Sequence, residues 1–113
     1  MLLVEDDLVS ASALATILRR RGFEVFHAVN IAAALEHLSS GPEFVMLDLM
    51  LPDGDGAAVL QAIRDRGMSS RVLVITAVCD PDRLAAVAAF KPEAVLQKPI
   101  DRPRMLSLMR PQN

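Results

Sequence analysis

The hydrophobic positions along this chain alternate between short continuous runs and helical periods. Apolar runs of the length and composition of strands lie at 1–4, 24–29, 44–49, 71–76 and 94–98. Between and after these runs, apolar residues recur with the spacing of amphipathic helices, and in the first helix Leu14, Ile17 and Leu18 mark one face. The pattern predicts five strands alternating with about five helices.

Local signals place several of the helix ends. Gly22 follows the first helical period and Gly67 the third, where a left-handed residue ends many helices. Asn30 is suited to cap the second helix, and Pro103 to occupy the first position of the last one. The sequence PDGDG at 52–56 predicts a turn directly after the third strand.

The order of elements predicts the fold class. Strands that alternate with helices through short connections form parallel βαβ units, with helices on both faces of the sheet. The runs at 44–49 and 71–76 are nearly continuous in Val, Ile, Leu and Met, as strands buried on both faces are. No shift in composition and no repeat divides the chain. We therefore predict one α/β domain, 1–113, with three αβα layers.

Composition and charge narrow the function classes. The net charge is −2, and the basic residues are scattered except for Arg19–Arg21, which suit the last turn of a helix. The sequence therefore indicates no basic surface for nucleic-acid binding. The longest apolar run, 84–90, is far too short to span a bilayer, and no signal segment opens the chain. A single cysteine, Cys79, excludes an internal disulfide. We expect a cytoplasmic protein.

Polar residues fall at the carboxyl ends of four predicted strands. These residues are Glu5, Asp6, Asp7, Asp48, Thr76 and Lys98. In an open parallel sheet those ends face one crevice, so the acids, the hydroxyl and the ammonium are expected to converge. Crowded carboxylates need a cation among them, and Mg²⁺ prefers such oxygens. A carboxylate can also attack phosphorus to give an acyl phosphate, whose oxygens the ammonium and hydroxyl would bind.

Each of these residues also has a simpler structural interpretation. The acids at 5–7 suit a helix N-terminus, Lys98 a solvated strand end, and Thr76 an ordinary strand position. The DGDG at 53–56 lacks the later ligands of a calcium loop, and Cys79 shares no motif with a histidine. Asp48 is hardest to explain structurally, because its strand is the most apolar and a lone buried carboxylate is costly.

The sequence resembles the receiver domain of bacterial two-component response regulators. The matching stretches are LLVEDD, MLDLMLPDGDG, VLVITA and KP, which occur in the family's order over essentially the whole chain. The resemblance implies a flavodoxin-like (βα)₅ fold, doubly wound, with strand order 2-1-3-4-5. It also implies a commonly cis Lys98–Pro99 bond.

The resemblance implies a role for each matching residue. Asp48 would be the phospho-acceptor, Thr76 the switch hydroxyl and Lys98 the phosphate-contacting lysine. Mg²⁺ would be held by Asp6, Asp48, the backbone carbonyl of Met50 and, through water, Glu5. Asp7 would be a non-ligand position that caps the first helix.

The sequence departs from the family pattern in the output region. Val95 stands where many receivers have an aromatic residue, and Ile100 replaces the usual Phe after KP. The sequence therefore predicts phosphoryl capture but not the usual threonine–aromatic switch. The segment before Pro111 allows about two helical turns, where the family has a longer last helix.

Three function classes follow. The first is a phosphorylation-dependent signalling module, not a conventional enzyme, that accepts a phosphoryl group from a histidine kinase or phosphotransfer protein and acts on an unknown downstream effector. The second is a degenerate receiver that only binds other proteins, motivated by Val95. The third, a phosphatase or nucleotide binder, lacks an Asp-x-Asp or a glycine-rich loop after strand 1. Homodimerisation through the helix 4–strand 5–helix 5 face stays open.

Overall fold

The computed structural model describes residues 1–109, and its main sheet has five parallel strands. The strands are β1 (Leu2–Val4), β2 (Phe26–Ala28), β3 (Phe44–Asp48), β6 (Arg71–Thr76) and β7 (Ala94–Gln97). A small antiparallel ribbon of β4 (Met50–Leu51) and β5 (Gly54–Asp55) follows β3 in the chain. The sheet order is β2-β1-β3-β6-β7, which confirms the predicted order 2-1-3-4-5 once the ribbon is set aside.

Helices connect the strands and cover the sheet. They are α1 (Leu8–Arg20), α2 (Ile31–His37), α3 (Ala57–Asp65), α4 (Pro81–Ala88) and α5 (Arg102–Leu108), with a 3₁₀ turn at Leu38–Ser40. Asn30 caps α2 as predicted, because its side chain accepts a hydrogen bond from the Ala33 N–H. Gly22 follows α1 with φ at 92°, the left-handed conformation expected of a C′ glycine.

Two details of the helices differ from the sequence prediction. Asp101 caps α5 by accepting from the Arg104 N–H, which makes Arg102 the first helical residue and Pro103 the second. On α1, Leu14 and Leu18 are buried but Ile17 is only half-buried. The α5 helix has 7 residues, in agreement with the predicted two turns, and Pro111 lies outside the described residues.

The core is divided by the sheet into two apolar clusters. One packs beneath α2, α3 and α4 and includes Leu47 and Leu60, and the other packs beneath α1 and α5 and includes Leu18 and Met46. Every residue of β3 is buried, as the continuous apolar run predicted for a central strand. Truncating one such buried leucine to alanine costs about 2–5 kcal/mol, so this packing holds the strand ends firmly.

The parallel register aligns the carboxyl ends of β1, β3, β6 and β7 at one edge of the sheet. Asp48 pairs with Ile75, so Thr76 lies one residue further along, where it pairs with Gln97. Within residues 1–109, no helix combines the length and apolar character needed to cross a bilayer.

Candidate functional site

Lys98 links two buried carboxylates at this edge of the sheet. Its Nζ lies 2.9 Å from Glu5 Oε1 and 2.8 Å from Asp48 Oδ2. Glu5 follows β1 and is 3% exposed, Asp48 ends β3 and is 6% exposed, and Lys98 directly follows β7 and precedes the cis bond to Pro99. A single ammonium therefore donates a charge-assisted hydrogen bond to each carboxylate and neutralises one of the two negative charges. The structure thus brings together residues from three predicted strand ends.

Asp48 has a separate partner for each carboxylate oxygen. Oδ2 accepts from Lys98, and Oδ1 accepts from the backbone N–H of Met50 at 3.0 Å. Met50 lies in β4, and its side chain is 56% exposed beside the acceptor. The carboxylate is thus held on a rigid strand but lies next to an open, apolar surface.

The backbone of Glu5 is fixed by β2. Its N–H donates to the Ala28 carbonyl at 3.0 Å, and its carbonyl lies 2.6 Å from His27 Nε2. Because a carbonyl oxygen only accepts hydrogen bonds, Nε2 is the nitrogen assigned the proton. The side-chain Oε2 accepts from the Asp6 N–H at 3.1 Å. These bonds hold Glu5 in place, and nothing in the sequence pattern around His27 indicated them.

Burial and neighbouring charges shift two of the ionisable groups. Burial raises the pKa of Glu5 to about 7, and the charge of Asp48 adds to this, although the hydrogen bond from Lys98 opposes it. Burial disfavours the ammonium form of Lys98, but its hydrogen bonds to Asp48 and Glu5 outweigh burial and raise its pKa above the ordinary value. Lys98 therefore stays cationic, while Glu5 is the group that takes up a proton near neutral pH.

Three acids at the site have the chemistry of a divalent cation site. Carboxylate oxygens of Glu5, Asp6 and Asp48 all lie within 4.8 Å of one another, with Asp6 exposed to solvent and the other two buried. With all three ionised, their charge exceeds that of Lys98 by two. Such hard oxygen donors with one exposed position fit Mg²⁺. Asp7 does not join them, because it caps α1 by accepting from the Val9 N–H.

Thr76 is fully buried and lies outside the ion-pair network. Its Oγ1 accepts a hydrogen bond from the Val78 N–H at 3.0 Å. The Lys98 N–H donates to the Thr76 backbone carbonyl at 2.9 Å, but no side-chain hydrogen bond described for residues 1–109 joins Thr76 to Lys98 or Asp48. Val95, the position without an aromatic side chain, is half-buried against the core beneath α2, α3 and α4.

Sequence reasoning missed the importance of Gly56, which ends the acceptor loop (residues 49–56). A Cβ on Gly56 would lie only 2.1 Å from the Asp48 carbonyl oxygen. The Gly56 N–H donates to the Leu49 carbonyl at 2.8 Å and so closes the loop on itself. The glycine was visible as a turn signal, but only the structure shows that the backbone bearing the carboxylate passes against it.

The acceptor loop is also tied to α2 through Asp53. Its two carboxylate oxygens accept from the N–H groups of Ile31 and Ala32 at 2.8 and 3.1 Å. These backbone hydrogen bonds, that of Ile31 first, lower the pKa of Asp53 below its ordinary value. Local sequence could not reveal this cap, because the partners are more than 20 residues away.

A family model described as a response regulator receiver domain matches residues 1–110. The chain belongs to this family. It is 36% identical over 114 residues to the swarming motility regulation protein RssB of Serratia marcescens, covering all of this chain and 52% of that protein. It is 35% identical to the photosynthetic apparatus regulatory protein RegA of Rhodobacter capsulatus, covering 89% of this chain and 55% of that protein. This receiver domain thus spans about half the length of these curated relatives.

Solved structures agree with the family and the fold. A response regulator from Burkholderia pseudomallei, crystallised with a phosphorylated aspartic acid, calcium ion and citrate, superimposes with a TM-score of 0.86 at 27% identity, covering 96% of this receiver and 65% of that chain. The signal receiver domain of a histidine kinase from Syntrophus aciditrophicus gives 0.83 at 25% identity, covering 94% and 83%. The receiver family is a component of two-component signalling, and the flavodoxin-like fold expected from the sequence is confirmed.

Proposed function

We propose that this receiver accepts a phosphoryl group on Asp48 from the phosphohistidine of a histidine kinase or phosphotransfer protein. The observation that carries the proposal is the pairing of buried Asp48 with Lys98 beside an acidic cluster. A carboxylate oxygen of Asp48 forms the new bond to phosphorus as the phosphorus–nitrogen bond breaks. The electron pair of that broken bond returns to the donor imidazole. An acyl phosphate results.

The protein contributes positioning and charge compensation to this transfer. Asp48 ends a fully buried strand, and its Oδ1 is held by the Met50 N–H, so the acceptor is oriented before the donor arrives. Lys98 then passes from the Asp48 carboxylate to an oxygen of the transferred phosphoryl group, which it binds as a point charge. Thr76 would supply a hydroxyl donor if the loop after β6 moved toward the site.

We assign the divalent cation site to Asp6, Asp48, Glu5 and the carbonyl of Met50, with Mg²⁺ as the ion. Bound there, Mg²⁺ would neutralise charge that develops on the phosphoryl oxygens. The solved relative from Burkholderia pseudomallei supports this assignment, since it was crystallised with both a phosphorylated aspartic acid and a calcium ion. Residues 1–113 would act as one cytoplasmic domain that changes its interaction surface for a downstream effector.

Mass spectrometry of the intact protein tests the proposal. With Mg²⁺ and a small-molecule phosphodonor such as acetyl phosphate, the wild-type protein should gain one phosphoryl group. Asp48→Asn should abolish that gain, because the nucleophilic oxygen is lost. Asp65→Asn, at an exposed aspartate ending α3, is the matched control and should react like the wild type.

A phosphoryl gain that survives Asp48→Asn would refute the assignment of the acceptor. Absence of any gain by the folded wild-type protein, with partner binding retained, would favour a receiver that acts only through protein interactions.

A further inference from the structure

Arg83 connects helix α4 to the acceptor loop. It is the third residue of α4, and its Nη2 lies 3.3 Å from the Leu49 carbonyl oxygen and 3.2 Å from Asp55 Oδ1. Leu49 directly follows Asp48, and Asp55 lies at the other end of the ribbon. One guanidinium nitrogen thus touches both ends of the loop that carries the acceptor.

Both atoms that Arg83 contacts already close the loop. The Leu49 carbonyl accepts from the Gly56 N–H at 2.8 Å, and Asp55 Oδ1 accepts from the Ala57 N–H at 2.9 Å. A carbonyl oxygen can accept a second hydrogen bond, which Arg83 supplies to Leu49, and the same nitrogen forms an ion pair with the Asp55 carboxylate. Displacing α4 would therefore weaken the contacts that hold the acceptor loop in shape.

The guanidinium of Arg83 is incompletely satisfied in this arrangement. Its Nε is buried and has no hydrogen-bond partner. A buried donor without an acceptor is unfavourable in free energy. Because an arginine side chain stays protonated, deprotonation cannot relieve this. A small shift between α4 and the loop that gave Nε an acceptor would be favourable, so this contact is suited to a second arrangement.

The hydrogen bonds and ion pairs described for residues 1–109 contain no other link between α4 and the acceptor loop. The threonine–aromatic switch found in many receivers is missing as well, since Val95 is aliphatic. A phosphoryl group on Asp48 would add negative charge one residue before the carbonyl that Arg83 contacts. The permanent cation on α4 would be attracted toward it.

We propose that Arg83 is the positioning residue through which the acceptor loop and α4 move together, so that phosphorylation of Asp48 changes the position of the α4 N-terminus. The coupling to phosphorylation rests on the function proposed above. The bracing of the loop by Arg83 does not depend on it, and the two are tested separately.

The first experiment measures amide hydrogen exchange by NMR in the unmodified protein. Arg83→Met keeps the length of the side chain but removes the charge and donors, and should make the Gly56 and Ala57 amides exchange about three- to tenfold faster. Arg83→Lys should restore most of the protection, since only one nitrogen of Arg83 makes both contacts. Arg66→Met, at an exposed position after α3, is the control and should change nothing.

The second experiment adds Mg²⁺ and beryllofluoride, which mimics a phosphoryl group. In the wild type, ligand binding should shift the amide resonances of α4. In Arg83→Met at saturating ligand, the amide resonances of the acceptor loop should still shift, which shows that the ligand is bound, while the α4 shifts disappear. Arg83→Lys should recover them.

Three results would each overturn part or all of the proposal. Unchanged α4 shifts in Arg83→Met, with ligand bound, would overturn the coupling alone and leave the proposed function intact. Failure of the wild-type protein to bind beryllofluoride would overturn both the phosphorylation and its coupling. Unchanged exchange of Gly56 and Ala57 in Arg83→Met would separately refute the bracing of the loop.

Discussion

The acceptor loop and the loop after β6 lie at the same edge of the sheet but are held very differently. The acceptor loop is closed by Gly56, capped onto α2 by Asp53 and contacted by Arg83 from α4. The loop at 77–80 is held mainly by local contacts, the Val78 N–H bond to Thr76 and the Asp80 cap of α4, and its one distant partner among residues 1–109 is Gln97, whose Nε2 lies 3.3 Å from the Val78 carbonyl and 3.7 Å from Cys79 Sγ. Three of its four residues are exposed.

This difference separates the two tasks proposed for the domain. Phosphoryl capture needs a preorganised acceptor, and the acceptor loop has the dense hydrogen bonding that preorganisation requires. A response needs a segment with two arrangements of similar free energy, and the loop at 77–80 has few contacts to lose. The substitutions considered below either remove contacts that hold the acceptor loop and Asp48 or change the exposed apolar surface beside Asp48.

The largest effect is expected from Gly56→Ala. The added Cβ would meet the Asp48 carbonyl oxygen at 2.1 Å, so the acceptor strand or the loop must move. We expect a loss of roughly 3 kcal/mol or more in the free energy of unfolding, measured by urea denaturation. Cys79→Ala, in the other loop, is the control and should cost less than about 0.5 kcal/mol. Equal losses in the free energy of unfolding for the two variants would contradict the difference in rigidity between the two loops.

Removal of the shared ammonium should have the next largest effect. Lys98→Met leaves Glu5 and Asp48 buried without their cation, at a cost of roughly 2–4 kcal/mol in metal-free buffer at pH 8. Because Lys98 lowers the pKa of Glu5, its loss should raise that pKa above the wild-type value of about 7, so the cost should shrink as the pH is lowered toward 7 and the variant protonates Glu5 first. Urea denaturation at pH 5 and pH 8 measures this. A pH-independent cost would show that Glu5 is not the group involved.

Asp53→Ala should have a smaller effect on stability, since Asp53 is exposed and Asn30 still caps α2. The pKa of Asp53 is lowered in the folded state, so its stabilising effect is present above the ordinary value of 3.8 and is lost as the pH falls through its folded pKa. The melting temperature of the variant should therefore lie below that of wild type at pH 7 and approach it near pH 3. A constant difference across this range would contradict the role of the charge.

The smallest effect is expected from Met50→Asn, and it concerns only the phosphorylated form. The apolar side chain beside Asp48 gives water no partner, whereas an amide would help to orient it toward the acyl phosphate. We expect hydrolysis to become about threefold faster, a change of roughly 0.7 kcal/mol in the barrier. Met50→Leu, which keeps the surface apolar, should leave the rate unchanged. The rate of phosphate release from the phosphorylated protein gives the comparison.

The features of the fold and the site that follow from strand order and strand ends could be predicted from the sequence. Alternating patterns gave the five strands, and the parallel topology then placed Glu5, Asp48 and Lys98 at one edge, where the structure joins them. Local sequence could not give the contacts that depend on how distant backbones meet. Asp53 lies in the predicted turn, but its contacts and those of Arg83 could not be predicted, because their partners are 21 to 34 residues away.

The ammonium of Lys98 meets its two carboxylates across very long stretches of chain. Asp48 is 50 residues away in sequence, and Glu5 is 93 residues away. Before the last strand is in place, the two acids have no cation from the protein, and the acceptor has no oriented partner. A chain that ends before residue 98, or a protein whose β7 has detached, should therefore be unable to take up phosphate efficiently. Competence for signalling would appear only with complete folding, so a partly folded copy would not be phosphorylated efficiently.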